Sequence, residues 1–393
     1  MFPPLHYRHL PHPVDDLPVL FASSLARRVS VVFLSLFSPI YLFQIFSSRA
    51  LPLKFALTLV LTYFFLVFLA KLFTLSFAEN LGLKIGYRGI LLFSGLPFLL
   101  FIPFLIKIDQ FPLLFIPAAL SLGAHGGLFW WGYHGFFIKS GKAPAFGQEL
   151  GTTAGLDTLA QFASPLLGAF IITQLGFNFL FWLSGLIFLF SLALLIPTSE
   201  KKPHADIKLK QTIQLILAHK VISLAYFGHS SSSAWYSSIW PLFIFLVLGT
   251  TLGVGEVVSA SVIIAALITF LVGLQTDKGQ GKKIISFGSP LLSFSWVLRF
   301  LGQNPLLFVV ADSLWRFADG MVGLPLNVLT YHKALESSSG QAIMFRELIL
   351  VIGQLFSLSL LILWVLLGLD LALSFLLAAA FALLPAVSMR IKS

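Results

Sequence analysis

Arg316 stands in a mostly apolar stretch, Pro305 to Leu329, with Asp312 four residues before it and Asp319 three after. On a helix those offsets place all three side chains on one face. A guanidinium between two carboxylates can balance one of them while the other exchanges a proton or meets an ionic ligand group. The same set can equally form a static ion-pair network that locks the helix to a neighbour. Trp315 lies beside Arg316 and adds an aromatic surface.

Three further segments carry polar chemistry in apolar surroundings. Arg346 and Glu347 are adjacent, and Gly353 and Gln354 follow them. Neighbouring helical residues point in different directions, so each is expected to meet a different partner, as a gating contact or as a snorkelling interfacial pair. His229 opens the run Ser230-Ser231-Ser232-Ser233, with Trp235, Tyr236, Trp240 and Pro241 behind it. Serines and a proline loosen a helix and suit a cavity wall, although small residues also serve close helix packing. His125, Trp130, Trp131, Tyr133 and His134 precede Asp157 and Gln161, which are four apart and share a face. A polar cavity wall near His134 and Asp157 is expected, with an interfacial aromatic belt as the other reading of the rings.

The elements that hold these residues must be membrane spans. Of the 393 residues 58% are hydrophobic and only 10% charged, and the mean hydropathy is +0.95. Apolar runs of about twenty residues, each long enough to cross a hydrocarbon core, recur from end to end. They predict twelve spans, with Arg316 in the tenth (305–331), Arg346 in the eleventh (342–368), His229 in the seventh (219–248), His134 in the fourth (111–138) and Asp157 in the fifth (152–174). Only Gly368, Leu369 and Asp370 separate the last two.

Lys and Arg fall mostly in the loops that share a side with both chain ends, leaving Arg49, Lys54, Lys107 and Arg299 opposite, so both termini are expected to be cytoplasmic. The net charge of +10 is thereby accounted for without a nucleic-acid partner. With no cysteine there is no disulfide framework or thiolate site. His125 and His134 lack the spacing of a helical zinc site, and no nucleotide-binding glycine loop occurs, so neither an enzyme nor a cofactor is indicated. The 42 phenylalanines read as packing and lipid-facing residues.

Residues 1–27 read as a cytoplasmic lead-in, irregular over 1–20, with none of the marks of a cleaved leader. The polar stretch 198–218 reads as a cytoplasmic linker between two halves, 28–197 and 219–390. A repeat supports that division. The loop after the second span holds Gly82, Lys84, Gly86 and Arg88, and the loop after the eighth holds Gly273, Asp277, Lys278, Gly279, Gly281, Lys282 and Lys283.

On these two loops, together with the span count, the central linker and the run Pro165-Leu166-Leu167-Gly168, the chain resembles the major facilitator superfamily. The resemblance extends over nearly the whole length. In the first copy Leu83 stands where that family has an acid, with Glu79 and Asn80 nearby. The resemblance implies an all-α membrane protein of two six-helix bundles that moves a small organic solute by alternating access. Lys84, Gly86, Arg88, Gly273, Asp277, Lys278, Arg346 and Glu347 are then expected at a cytoplasmic gate. Asp312, Arg316, Asp319, Asp157, His134, His229, Gln161, Trp131, Trp235, Tyr236 and Trp315 are expected at the solute or proton site, with Asp312 and Asp319 as the proton-exchanging pair. A sugar would use the rings and hydroxyls, and a lipophilic cation the rings and a carboxylate. A monomer in a bacterial or archaeal cytoplasmic membrane is expected. Alternatives are a uniporter or a lipid or drug flippase with purely structural charges, and a receptor that transports nothing.

Overall fold

The computed structural model describes residues 16–49, 51–203, 209–262, 266–302, 304–336 and 338–390. Most of the lead-in, 1–15, and the linker residues 204–208 lie outside the described residues. In chain order the helices are α1 (Asp16–Ser48), α2 (Leu53–Phe93), α3 (Gly95–Lys107), α4 (Phe115–Ser140), α5 (Phe146–Leu195), α6 (Leu209–Ala218), α7 (Lys220–Ser238), α8 (Trp240–Leu248), α9 (Thr251–Val262), α10 (Ala266–Gln275), α11 (Gly281–Leu301), α12 (Pro305–Glu336), α13 (Ser339–Leu366) and α14 (Ser374–Leu383). No strand occurs among the described residues. With lipid around it, a backbone must satisfy its own polar groups, and helices do this within one segment.

Glycine marks where the long helices turn. α2 and α5 are longer than one crossing, and each is broken at a glycine with positive φ, Gly86 (78°) and Gly176 (82°), a conformation that side chains with a Cβ resist. Those breaks fall where the sequence separates spans two from three and five from six. Gly368, at φ 72°, likewise divides α13 from α14, and the Asp370 carboxylate accepts from the Ala372 N–H at 2.7 Å to start the new turn. The expected loosening of the seventh span is a break at Ile239 between α7 and α8, with Pro241 in the first turn of α8. This arrangement is consistent with twelve crossings. α1 begins at Asp16, inside the stretch 1–20 that the sequence reads as irregular.

Large apolar side chains cover the outside, including Phe73, Phe170, Trp182, Leu186, Phe190, Phe287 and Leu306, as a lipid-facing surface requires. In the first half α1 packs on α5, α2 on α4, and α3 on both α4 and α5. In the second, α11 packs on α12 and α14, and α7 on α13 and α14. The halves meet where α5 lies against α9 and α10 and where α13 lies against α2 and α4. Small residues permit the first contact. The Leu166 N–H donates to Ser259 at 3.1 Å, and a Cβ on Gly273 would collide with the backbone carbonyl of Gly147. Between α1 and α5 on one side and α7, α8, α9 and α12 on the other is a cavity of about 130 Å³, lined by Val32, Ser35, Gln161, Tyr236, Trp240 and Arg316 among others.

Candidate functional site

Asp312 is the hub of the cavity wall and is fully buried. Its carboxylate accepts from Arg316 Nε at 2.9 Å, from Arg299 Nη2 at 3.0 Å, from Trp240 Nε1 at 2.9 Å and from the Ser261 hydroxyl. The Arg316 bond is the four-residue pair legible in the sequence. Arg299 corrects it: assigned to an outer loop because it falls near the end of an apolar run, it is 0% exposed in α11. It also stacks between Trp240 and Trp296, 4.3 and 4.4 Å from the ring centres, where cation–π attraction offsets part of its desolvation. Two guanidiniums therefore share one carboxylate, and the cluster carries a surplus positive charge.

Arg316 turns the rest of its guanidinium across the cavity. Its Nη1 donates to Gln161 Oε1 of α5 at 2.9 Å, so the residue ties the two halves together. Tyr236 and Trp315 stack face to face at 3.5 Å beside it. Asp319, expected to share Arg316, instead pairs with His229 Nε2 of α7 at 2.8 Å. That pair is 31% and 17% exposed, against none for Asp312, and about 10 Å further along α12. The three side chains named from the sequence thus divide into a buried ion cluster and a more accessible pair of Asp319 with His229.

One turn away on α5, Asp157 receives Arg28 of α1 through Nε at 3.1 Å and Nη2 at 2.8 Å. His134 and Asp157, expected on one wall, belong to separate groups. His134 Nδ1 lies 2.6 Å from the Tyr331 hydroxyl and its Nε2 3.1 Å from Arg346 Nη1. Arg346 also reaches Asn327 at 2.9 Å and Glu347, its own neighbour, because both side chains are long enough to curl together despite diverging from the helix. Glu347 meets Lys71 of α2 at 2.7 Å. This buried network spans α2 and α4 of one half and α12 and α13 of the other.

Trp131 and Trp235 lie elsewhere. Trp131 is packed on Tyr87, and Trp235 donates to Ser374 at 3.2 Å. Ser231 and Ser232 bond to the Gly353 carbonyl and to Trp296, so this part of the serine run serves helix packing.

At the end carrying the linker, Asp277 caps α5. Its carboxylate accepts the backbone N–H groups of Gly147 at 2.7 Å and Gln148 at 2.8 Å, which the first turn of a helix leaves without intrahelical partners. The positive end of the helix dipole adds to the attraction. The first copy of the repeat is built differently. Glu200 of the linker accepts the N–H groups of Arg88 and Gly89 at 2.9 and 3.0 Å and pairs with the Arg88 side chain, supplying from downstream the acid that Leu83 does not. Tyr87 then reaches Ser339, at the start of α13, with a 2.8 Å hydroxyl contact. Lys84 and Lys278 are exposed and make no such bridge. Asp277→Ala is expected to cost about 0.5–2 kcal/mol at this cap and to open the α5–α10 seam. Faster labelling of Gln148→Cys, in a chain otherwise free of cysteine, would report it; unchanged labelling would show that the cap does not hold the seam.

Two helical halves around a polar cavity, tied by ion pairs and helix caps at their shared seam, define an integral membrane transporter. The family profile described as Major Facilitator Superfamily matches residues 18–358, and the chain belongs to that family. Among solved structures the fold is similar to the human organic anion transporter MFSD10 (TETRAN), at 14% identity and TM-score 0.72, covering 97% of this chain and 100% of that one. It is similar also to the major facilitator transporter FucP in the outward conformation (12%, 0.68, covering 97% and 100%) and to the POT family transporter PepTSo (12%, 0.69, covering 96% and 97%). The FucP protein is from E. coli and is described as a fucose:proton symporter. No curated protein sequence matches the chain.

Proposed function

We propose that this protein is a proton-coupled secondary transporter of a small organic anion. The observation that carries the reading is Arg316, which lines the cavity while sharing the carboxylate it bonds, that of Asp312, with Arg299. A charge so placed is costly unless balanced, and a solute carboxylate in the cavity would balance it. The same surplus argues against the lipophilic cation, which needs a free carboxylate, and a neutral sugar would leave the charge unmet. The cavity is small, about 130 Å³, and the Tyr236–Trp315 stack offers its apolar wall.

The coupling proton goes to the Asp319–His229 pair. Asp312 is surrounded by donors, whereas Asp319 has one partner and reaches Arg316 through space. Loading the pair with a proton removes its negative charge from the neighbourhood of Arg316, so the anion binds more tightly as pH falls. The cross-half contacts of Arg316–Gln161, Glu347–Lys71 and Asp277 with α5 are those that alternating access would break and remake, with the linker side cytoplasmic.

The test is a thermal-shift screen of the purified protein against carboxylates, sugars and cationic amines at two pH values. Carboxylates are expected to stabilise it, more strongly at the lower pH, and Arg316→Gln to abolish the shift. Asp319→Asn fixes a neutral side chain and is expected to give tight binding at both pH values. Stabilisation by sugars or amines alone would refute the anion reading, and an unaltered pH dependence in Asp319→Asn would remove the coupling assignment.

A further inference from the structure

The first half of the chain carries a second arginine station that the reading above does not use. Arg27 is buried, with its guanidinium 3.5 Å over the Phe129 ring and its Nε without a hydrogen-bond partner. Its neighbour Arg28 places both donors on one oxygen of Asp157, and the other oxygen, Oδ1, is buried with no partner at all. A permanent structural pair would be expected to use both carboxylate oxygens, as bidentate arginine pairs do. Arg27 adds a second guanidinium that feels the Asp157 charge through space without bonding to it, so this station, like that of Asp312, holds two arginines and one carboxylate.

α5 fixes the distance between the two stations. Asp157 and Gln161 lie on one face of it, four residues and about 6 Å apart, and they receive Arg28 and Arg316 respectively. Arg28 is also one turn below Val32, which lines the cavity, and it is close enough to Arg316 for the two charges to repel. Arg28 is 29% exposed, so it can be reached.

We infer that the transported solute is a small dianion, such as a four- or five-carbon dicarboxylate, with one acidic group on Arg316 and the other on Arg28. Asp157 holds Arg28 in this structure and is displaced when the second acidic group arrives. This rests on Arg316 being the site of the first acidic group. A monoanion would leave the lower surplus charge unbalanced, whereas a dianion meets both.

Binding of succinate and glutarate to the purified protein is compared with binding of their monomethyl esters, at a pH where the free acids are fully ionised. The better dicarboxylate is expected to bind about tenfold or more tightly than its half-ester, since it adds a charge-assisted bond. Arg28→Gln should bring that ratio close to one. Asp157→Asn keeps Arg28 and removes its competitor, so the ratio should rise, and this variant decides the matter where Arg28→Gln fails to fold. Equal binding of acid and half-ester in the unmodified protein overturns the dianion and leaves the anion reading intact. A ratio that Arg28→Gln does not change, or that Asp157→Asn does not raise, overturns the role of Arg28. If neither acid nor half-ester binds, the site on Arg316 falls and the dianion with it.

Discussion

Asp312→Ala is expected to be the most damaging single substitution in the second half of the chain. It leaves Arg299 and Arg316 facing each other without the carboxylate both of them use, with Arg299 fully buried and Arg316 open only on its cavity side. Removing one partner from a buried ion pair costs about 3–5 kcal/mol, because the remaining charge is left desolvated and unpaired. Arg299 is the more exposed to this loss in energetic terms, since it is fully buried and its remaining contacts are the faces of Trp240 and Trp296 and a long 3.5 Å approach to Ser295. Asp312→Asn preserves the shape and one acceptor oxygen and should fall between alanine and the unmodified protein. Thermal unfolding of the three proteins in one detergent gives the ranking. If alanine melts with the unmodified protein, the arginines are balanced by something other than Asp312, and the surplus charge in the cavity is wrong.

Glu347→Gln is expected to act on the seam between the halves. Glu347 is the one carboxylate in its network, opposite Lys71 at 2.7 Å and in contact with Arg346. Glutamine keeps the length of the side chain but strands both cations, and their repulsion then separates α2 from α13. The expected result is loss of uptake, with a larger fraction of molecules open at the linker side. Single cysteines placed on α2 and α13 at that end should label faster and cross-link less. His134 belongs to the same network, its Nε2 lying 3.1 Å from Arg346 and 3.6 Å from Glu347. Uptake and labelling that match the unmodified protein would reduce this network to packing.

Much of the architecture could be read from the chain because lipid imposes it residue by residue. The spans and the turns at Gly86 and Gly368 follow from local hydropathy and from backbone conformations that glycine alone adopts freely. The candidate site was legible only in part. Asp312 with Arg316, and the capping acid Asp277, were named from spacing and from the repeat. Arg299 was misplaced because a charge near the end of an apolar run looks like a loop residue whether it points outward or folds back. Glu200 as the acid of the first repeat copy was hidden because it arrives from the linker, more than a hundred residues downstream. Trp131 and Trp235 were named as aromatics in polar company, yet the helices rotate them into packed interfaces.

By itself the sequence determined that this chain is an all-helical membrane protein and that Asp312 and Arg316 share a face. These properties depend on composition and on the 3.6-residue period, which operate within one segment. Only the tertiary structure decided who answers whom across helices: Asp319 with His229, Gln161 with Arg316, Asp157 with Arg28, Glu347 with Lys71, and Asp277 with the start of α5. The rotation and depth of each helix against its neighbours set those pairings, and no local period encodes them. That is why the sequence could show a charge in the membrane, while the sharing of one carboxylate by two arginines had to wait for the packed helices.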